Sequence, residues 1–107
     1  AIASTGLKDA IIVGTGNNYS SCGGLVAGST NAISAPFATV TGGYRNLASS
    51  IYASVSGGQA NTASSIFATV TGGDFNTASG ASASVSGGSV ITQSASGGWA
   101  GGSYDSF

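Results

Sequence analysis

Three consecutive stretches of fifteen residues carry nearly the same sequence. Residues 37–51 read FATVTGGYRNLASSI, residues 52–66 read YASVSGGQANTASSI, and residues 67–81 read FATVTGGDFNTASGA. The repeated letters are small, hydroxylated or glycine, and almost none is charged. A short repeat at a fixed step is typical of a solenoid, in which each unit forms one coil and cannot bury a face alone. This stretch therefore decides the fold class.

The fifteen-residue period continues beyond these three units. A Gly-Gly pair recurs at this step, and so do a valine, an asparagine and an alanine. These markers are Val40, Val55, Val70 and Val85, then Asn46, Asn61 and Asn76, then Ala48, Ala63 and Ala78. Shortened copies read IVGTGN at residues 12–17 and VAGSTN at residues 26–31. Toward the C terminus the pattern decays, with Ile91 where asparagine is expected and Ala100 where valine is expected. The sequence predicts six recognisable units and a degenerate seventh.

Each unit alternates in the way that a β-strand does. Ala38 and Val40 share one face of the stretch ATVT, and Thr39 and Thr41 share the other. The Gly-Gly pair is placed in a turn, where a positive φ costs glycine little. A second short extended piece follows around residues 46–48. Helix is excluded because glycine pairs interrupt every unit and because serine, threonine and valine are poor helix formers.

The predicted fold is all-β, a parallel β-solenoid or β-roll of about seven coils of 14–15 residues. Successive coils are expected about 4.8 Å apart, in parallel register. Residues 12–96 form this repeat domain, and residues 1–11 and 97–107 serve as caps or connectors. Asn46, Asn61 and Asn76 are predicted to form an amide ladder that satisfies backbone groups at the turn. Contact of these asparagines with a ligand is the alternative.

A single chain of this kind buries little apolar surface. Its predicted inward residues are alanine and valine, and apolar burial contributes roughly 25 cal/mol per Å². Chains of this size usually need a further stabilising device, but Cys22 is the only cysteine, so no internal disulfide can form. Each unit also presents apolar residues beside the strand, namely Phe37, Ile51, Tyr52, Ile66 and Phe67. We expect these five to form an oligomer interface, and the alternative encloses them in a wider single-chain coil.

The composition excludes several functional classes. With two basic residues the chain cannot form a basic groove for nucleic acid or a surface for anionic lipid. It has no histidine, so neither a histidine-based triad nor a zinc set is available. Asp9, Asp74 and Asp105 are too far apart in a rod to act as a carboxylate pair. No apolar run reaches the length of a membrane-spanning helix. We therefore expect no enzymatic activity, no cofactor or metal, and no membrane insertion of this segment.

One resemblance rests on ASVSGGQANTASS at residues 53–65, ATVTGGDFNTASG at residues 68–80 and ASVSGG at residues 83–88. These units resemble the head repeats of trimeric autotransporter adhesins, and the resemblance covers residues 12 to about 90. It implies a left-handed parallel β-roll, three chains side by side, display on a bacterial cell surface, and attachment to a host surface or carbohydrate. Similar repeats occur in trimeric tail fibres of phages, which makes a virion fibre another location. The chain departs from the family where glycine replaces its second hydrophobic residue, at Gly42, Gly57 and Gly72.

A second resemblance concerns the hydroxylated residues on either side of the repeated valine. Consecutive coils present them as ranks, namely Thr39, Thr41, Ser54, Ser56, Thr69 and Thr71. The ranks resemble the ice-binding face of β-solenoid antifreeze proteins. Threonine and serine also suit any exposed strand face, with no ligand involved. The sequence favours an extracellular structural or adhesive rod that forms a homotrimer. An ice-binding protein and a repeating subunit of an extracellular filament are the alternatives.

Overall fold

The computed structural model describes residues 2–4, 9–20 and 23–102. Every regular element in these ranges is a β-strand. In chain order the strands are β1 (Ile2–Ser4), β2 (Asp9–Thr15), β3 (Asn18–Tyr19), β4 (Leu25–Ser29), β5 (Ala32–Ile33), β6 (Thr39–Val40), β7 (Leu47–Ala48), β8 (Ser54–Val55), β9 (Thr62–Ala63), β10 (Thr69–Val70), β11 (Thr77–Ala78), β12 (Ser84–Gly88), β13 (Thr92–Gln93) and β14 (Trp99–Gly102).

Consecutive strands from β2 onward alternate between two sheets. Sheet A has the order β1-β2-β4-β6-β8-β10-β12-β14, and sheet B has the order β3-β5-β7-β9-β11-β13. All pairings between coils are parallel, and equivalent residues lie opposite each other, as Val55 does with Val40 and Val70. The prediction of an all-β parallel solenoid is confirmed.

The number of complete coils is smaller than the predicted seven. A complete coil contributes one strand to each sheet, and the described residues contain six such coils, from β2–β3 to β12–β13. Strand β14 pairs with β12 in parallel and adds a seventh coil's first strand, but no strand of sheet B follows it within the described residues. The prediction of about seven coils is therefore corrected to about six. The repeat is already degenerate here, because Ile91 stands in place of the turn asparagine.

The two ends of sheet A extend into the segments predicted as caps or connectors. Strand β2 begins at Asp9, and β14 begins at Trp99. At the N-terminal end, β1 pairs antiparallel with β2, with Ile2 opposite Ile11. Sheet A is thus covered at that edge by a strand running against the direction of the solenoid.

The core is a thin line of small side chains between the two sheets. The molecule measures 46 × 23 × 12 Å, so its interior has room for one layer from each sheet. Fully buried positions recur once per coil in each sheet and at the turn before sheet A, and they include Val26, Val40, Val55, Val70, Val85, Ala38, Ala53, Ala68, Ala83, Ala48, Ala63 and Ala78. The larger Ile33 and Ile91 fill the first and last parts of this line.

Two corners of the coil lie in the left-handed backbone region; glycine takes them near the ends, at Gly16, Gly23 and Gly97, but other residues take them in between. The corner before sheet A has φ near +60° at Phe37, Tyr52, Phe67 and Ser82. The corner before sheet B has similar values at Thr30, Arg45, Ala60, Phe75 and Val90. Such conformations are uncommon for residues with a Cβ. Their repetition shows that the coil itself, rather than the side chain, sets the backbone at these corners.

Candidate functional site

The asparagines form a buried ladder along the inside of the turn between the two sheets. Asn46, Asn61 and Asn76 are buried, and each side chain joins its own coil to the next one. The Asn61 Nδ2 donates to the carbonyl oxygen of Gly57 at 3.0 Å and to that of Gly73 at 2.9 Å. The Asn61 Oδ1 accepts from the backbone N–H of Asn76 at 2.9 Å. Three backbone groups are thus satisfied by one amide.

The ladder has two more rungs than the three asparagines singled out in the sequence. Asn17 and Asn31 make the same set of contacts, and the Oδ1 of Asn31 accepts from the N–H of Asn46 at 2.8 Å. The shortened units at residues 12–17 and 26–31 carry these asparagines, and that spacing was the signal for them. At the other end, the N–H of Ile91 donates to the Oδ1 of Asn76, and the ladder stops. Because these amides are engaged with backbone, they serve as structure in the described chain.

In the pairs at residues 42–43, 57–58 and 72–73, only the second position requires glycine. Gly58 has a φ of +88°, and a Cβ there would overlap the carbonyl oxygen of Gly73 in the next coil. A Cβ on Gly57 would meet no atom within 4 Å, and its φ is not positive. The sequence interpretation treated both as turn glycines, whereas close approach of neighbouring coils constrains the second of them.

The predicted interface residues lie on the outside of the rod, along one edge. Phe37, Tyr52 and Phe67 are exposed by 54%, 50% and 57%, so they are not enclosed within a wider coil. Their rings form what we call the aromatic column. The centroids of Phe37 and Tyr52 are 5.5 Å apart with planes 11° from parallel, and those of Tyr52 and Phe67 are 5.2 Å apart with planes at 4°.

The left-handed corner explains why the rings align. At Tyr52 the φ of +60° turns the chain, and its N–H donates to the carbonyl oxygen of Pro36 one coil earlier. Equivalent Cα positions therefore lie one coil step apart, about 4.8 Å, which suits stacked rings. Ile51 and Ile66 precede two of the rings and are also exposed, by 40% and 46%. Together these side chains form a continuous apolar edge over three coils.

The predicted hydroxyl ranks lie on the outer face of sheet A. Thr39, Ser54 and Thr69 are direct neighbours in the parallel register, and Ser84 follows as a fourth. A second rank, on the other side of the valines, is exposed and consists of Thr41, Ser56, Thr71 and Ser86. We call these two ranks together the hydroxyl face. The repeated valines lie beneath this face and are fully buried, namely Val40, Val55, Val70 and Val85.

Apolar residues bound the hydroxyl face at both ends. At the C-terminal end, Trp99 lies opposite Ser84 and its Nε1 donates to the Oγ of Ser86 at 2.6 Å. At the N-terminal end, Leu25 lies opposite Thr39, and Ile11 lies opposite Leu25. The face is therefore four coils long. Cys22, the single cysteine of the chain, lies outside the described residues.

Sequence reasoning missed the second corner as an apolar feature. Phe75 is exposed by 54% and Val90 by 75%, and both have left-handed φ values. On the same side, the guanidinium carbon of Arg45 lies 5.7 Å from the centroid of the Tyr44 ring, within the range of a cation–π contact. These residues do not form a continuous column, because Ala60 separates Arg45 from Phe75 along the corner. The residue types at this corner differ from coil to coil, so the sequence did not indicate that they share a left-handed φ.

The described residues contain no group of three histidine, cysteine, aspartate or glutamate side chains placed to hold a metal ion. They also contain no helix with the length and apolar character needed to cross a membrane. Comparison with known protein families, characterised proteins and solved structures finds no match to this chain.

Proposed function

We propose that the protein is an extracellular structural rod that assembles as a side-by-side homotrimer and mediates attachment, in the manner of the head of a trimeric surface adhesin or fibre. The observation that carries the proposal is the apolar edge of the aromatic column. Exposed apolar surface of this continuity is typical of an interaction site on a soluble protein.

The thin core supplies a physical reason for assembly. Its repeated side chains are alanine and valine, and each coil buries few of them. Lateral association along the rod would remove the rings of Phe37, Tyr52 and Phe67 from water, at roughly 25 cal/mol per Å² of apolar surface. Three copies, display on a bacterial cell surface or virion, and a host-surface or carbohydrate ligand come from the resemblance of the repeat to adhesin heads and tail fibres.

The oligomeric state tests the proposal. Sedimentation equilibrium or light scattering is expected to give three times the chain mass of 10.1 kDa. Phe67→Ser is expected to weaken the assembly, because it removes one ring of the column. Serine suits the backbone at this corner, since Ser82 occupies the equivalent corner one coil later. A strict monomer over the micromolar range would contradict the proposal.

Phe75→Ser is the matched control. Phe75 resembles Phe67 in exposure, 54% against 57%, and in φ, 58° against 60°, but it lies at the other corner, outside the aromatic column. It is expected to leave the mass unchanged. Attachment is then tested with beads carrying wild type or Phe67→Ser on glycan-coated and cell-coated surfaces. Retention no greater than that of uncoated beads would contradict the adhesive role.

A second candidate function is ice binding, and the register of the hydroxyl face favours it. Thr39, Ser54 and Thr69 lie one above the other at the coil step, with the second rank beside them. Regular hydroxyl spacing over four coils offers a flat surface on which water can order. Thr39→Tyr with Thr69→Tyr is expected to abolish any shaping of ice crystals by the purified protein. Crystals that grow unshaped in wild-type protein would remove this candidate.

The filament alternative has less support. A repeating subunit that grows by joining strand edges end to end needs open edges. In sheet A, the N-terminal edge strand is β1, which pairs antiparallel with β2, so end-to-end joining there would not continue the parallel stack. Growth of fibres with increasing concentration of wild-type protein would restore this alternative.

A further inference from the structure

The aromatic column contains a single polar atom, the hydroxyl of its central residue. Tyr52 lies between Phe37 and Phe67, and its ring is half-exposed. Within the described part of the chain, no hydrogen bond of the Tyr52 hydroxyl is found. A hydroxyl that becomes buried needs a partner. Any protein that covers the column must therefore supply one at the level of this coil.

We propose that Tyr52 sets the axial register of the assembly, by bringing the hydroxyls of all copies to one level around the assembly axis. There each hydroxyl can donate to one neighbour and accept from another, because a phenol does both. This inference rests on the proposed homotrimer. The occupant is a further copy of this chain, because another copy presents stacked rings at the same coil step over the same three coils.

Register is a real problem for a rod built of equal coils. Phenylalanine and tyrosine rings have nearly the same shape. The three coils that begin with β6, β8 and β10 repeat the same core and backbone. If two copies slip by one coil, most ring contacts are therefore recovered. The Tyr52 hydroxyl is the exception, because a slip places it against a neighbour's Phe37 or Phe67. Burying it without a partner disfavours the slipped arrangement by about tenfold to a hundredfold for each interface.

The consequence of a slip can be read from the mass of the assembly. An arrangement in which all copies lie at one level closes into a ring. A displacement of one coil at each interface accumulates along the axis, so the ring cannot close and association continues as an open screw. Loss of register control is therefore expected to replace one defined oligomer by a distribution of larger ones.

Tyr52→Phe tests the proposal by removing only the hydroxyl. Sedimentation velocity is expected to show a single trimer for wild type and a spread of larger species for this variant, without weaker association. Tyr52→Phe combined with Phe67→Tyr moves the hydroxyl by one coil in every copy, so it is expected to restore the single trimer. Tyr44→Phe is the control, because it removes a hydroxyl at an exposed position outside the column.

Cross-linking measures the level directly. Photo-oxidation couples tyrosine rings that lie in contact, and the cross-linked peptides are identified by mass spectrometry. In a background of Tyr44→Phe with Tyr104→Phe, a cross-link between Tyr52 of two copies is expected. In the same background, the Tyr52→Phe and Phe67→Tyr pair of changes is expected to move the cross-link to position 67.

The outcomes separate this inference from the proposed function. A wild-type mass of one chain overturns both. A wild-type trimer without the cross-link at Tyr52, or a Tyr52→Phe protein that remains a single trimer, overturns the register inference alone. A mass of two chains also overturns the register inference. An antiparallel pair with its two-fold axis at Tyr52 sets Phe37 against Phe67, so it brings the two hydroxyls together without a ring of three chains.

Discussion

Replacing Asn61 with alanine removes one fully buried rung of the amide ladder and tests whether that ladder holds the coils together. The change leaves three backbone groups without their partners, namely the carbonyl oxygens of Gly57 and Gly73 and the N–H of Asn76. A net contribution of about 0.5–1.5 kcal/mol for each hydrogen bond gives a loss of about 1.5–4.5 kcal/mol. Whole domains are stable by about 5–15 kcal/mol, so the loss is a large fraction of the total.

Urea unfolding followed by far-ultraviolet circular dichroism measures this loss. It is run at one protein concentration, because the stability of an oligomer depends on concentration. Thr62→Ala is the control in the same coil, since Thr62 faces outward from sheet B and is half-buried. We expect Thr62→Ala to cost less than about 1 kcal/mol.

Asn17 supplies a comparison along the ladder. It donates to the carbonyl oxygens of Val13 and Gly28 and accepts from the N–H of Asn31, but it is only half-buried. Water can replace part of what is lost there, so Asn17→Ala is expected to cost less than Asn61→Ala. If Asn61→Ala proves no more destabilising than Thr62→Ala, the ladder is not a main source of stability and the reasoning is refuted.

The other predictions concern the glycine turn and the aromatic column. Gly58→Ala is expected to destabilise by more than about 2 kcal/mol, because it adds a Cβ to a positive φ and against the next coil. Gly57→Ala is expected to be neutral or to stabilise by about 0.4–1 kcal/mol, and equal urea midpoints for the two variants would contradict this. Ser82→Phe is expected to extend the column to a fourth ring and to stabilise by about 0.5–1.5 kcal/mol, since its φ of 57° already matches that of Phe67. Ser89→Phe, on another edge, is the control, and an equal gain in both variants would show that stacking is not responsible.

The repeated valine was enough to predict the register of sheet A. A residue that recurs every fifteen positions with small neighbours can be buried at every recurrence only if successive coils superimpose, and Val40, Val55 and Val70 do so. Hydrogen bonding between coils follows from the same superposition. The antiparallel strand β1 was not predictable in this way, because residues 2–4 belong to no repeat.

The details of the turns could not be predicted from the letters. Phenylalanine and tyrosine are poor indicators of positive φ, so the left-handed corners at Phe37 and Tyr52 were not anticipated. Backbone strain of this kind arises from the closing of the coil, which is a property of the whole unit. The coil count was too high for a related reason, since Ala100 continues sheet A by its position but is not followed by a strand of sheet B within the described residues.

The sequence predicted which residues belong to the candidate surfaces, but it did not predict how their side chains are arranged. Spacing identified the apolar positions and the hydroxylated positions, and both sets lie on the outside of the rod. Stacking of the rings depends on the corner geometry, and the end of the hydroxyl face depends on the contact of Trp99 with Ser86. Neither contact could be read from composition or period.

The corner before sheet B has a consequence for how such a protein can diversify. Its residues are threonine, arginine, alanine, phenylalanine and valine in successive coils, yet their φ values lie between 56° and 60°. Each left-handed residue with a Cβ costs roughly 1–2 kcal/mol, and glycine would avoid that cost at every one of these positions. The solenoid tolerates this cost, and the corner accepts side chains of different chemistry. Surface side chains can therefore change at these positions, and with them the binding specificity, without any change in the core.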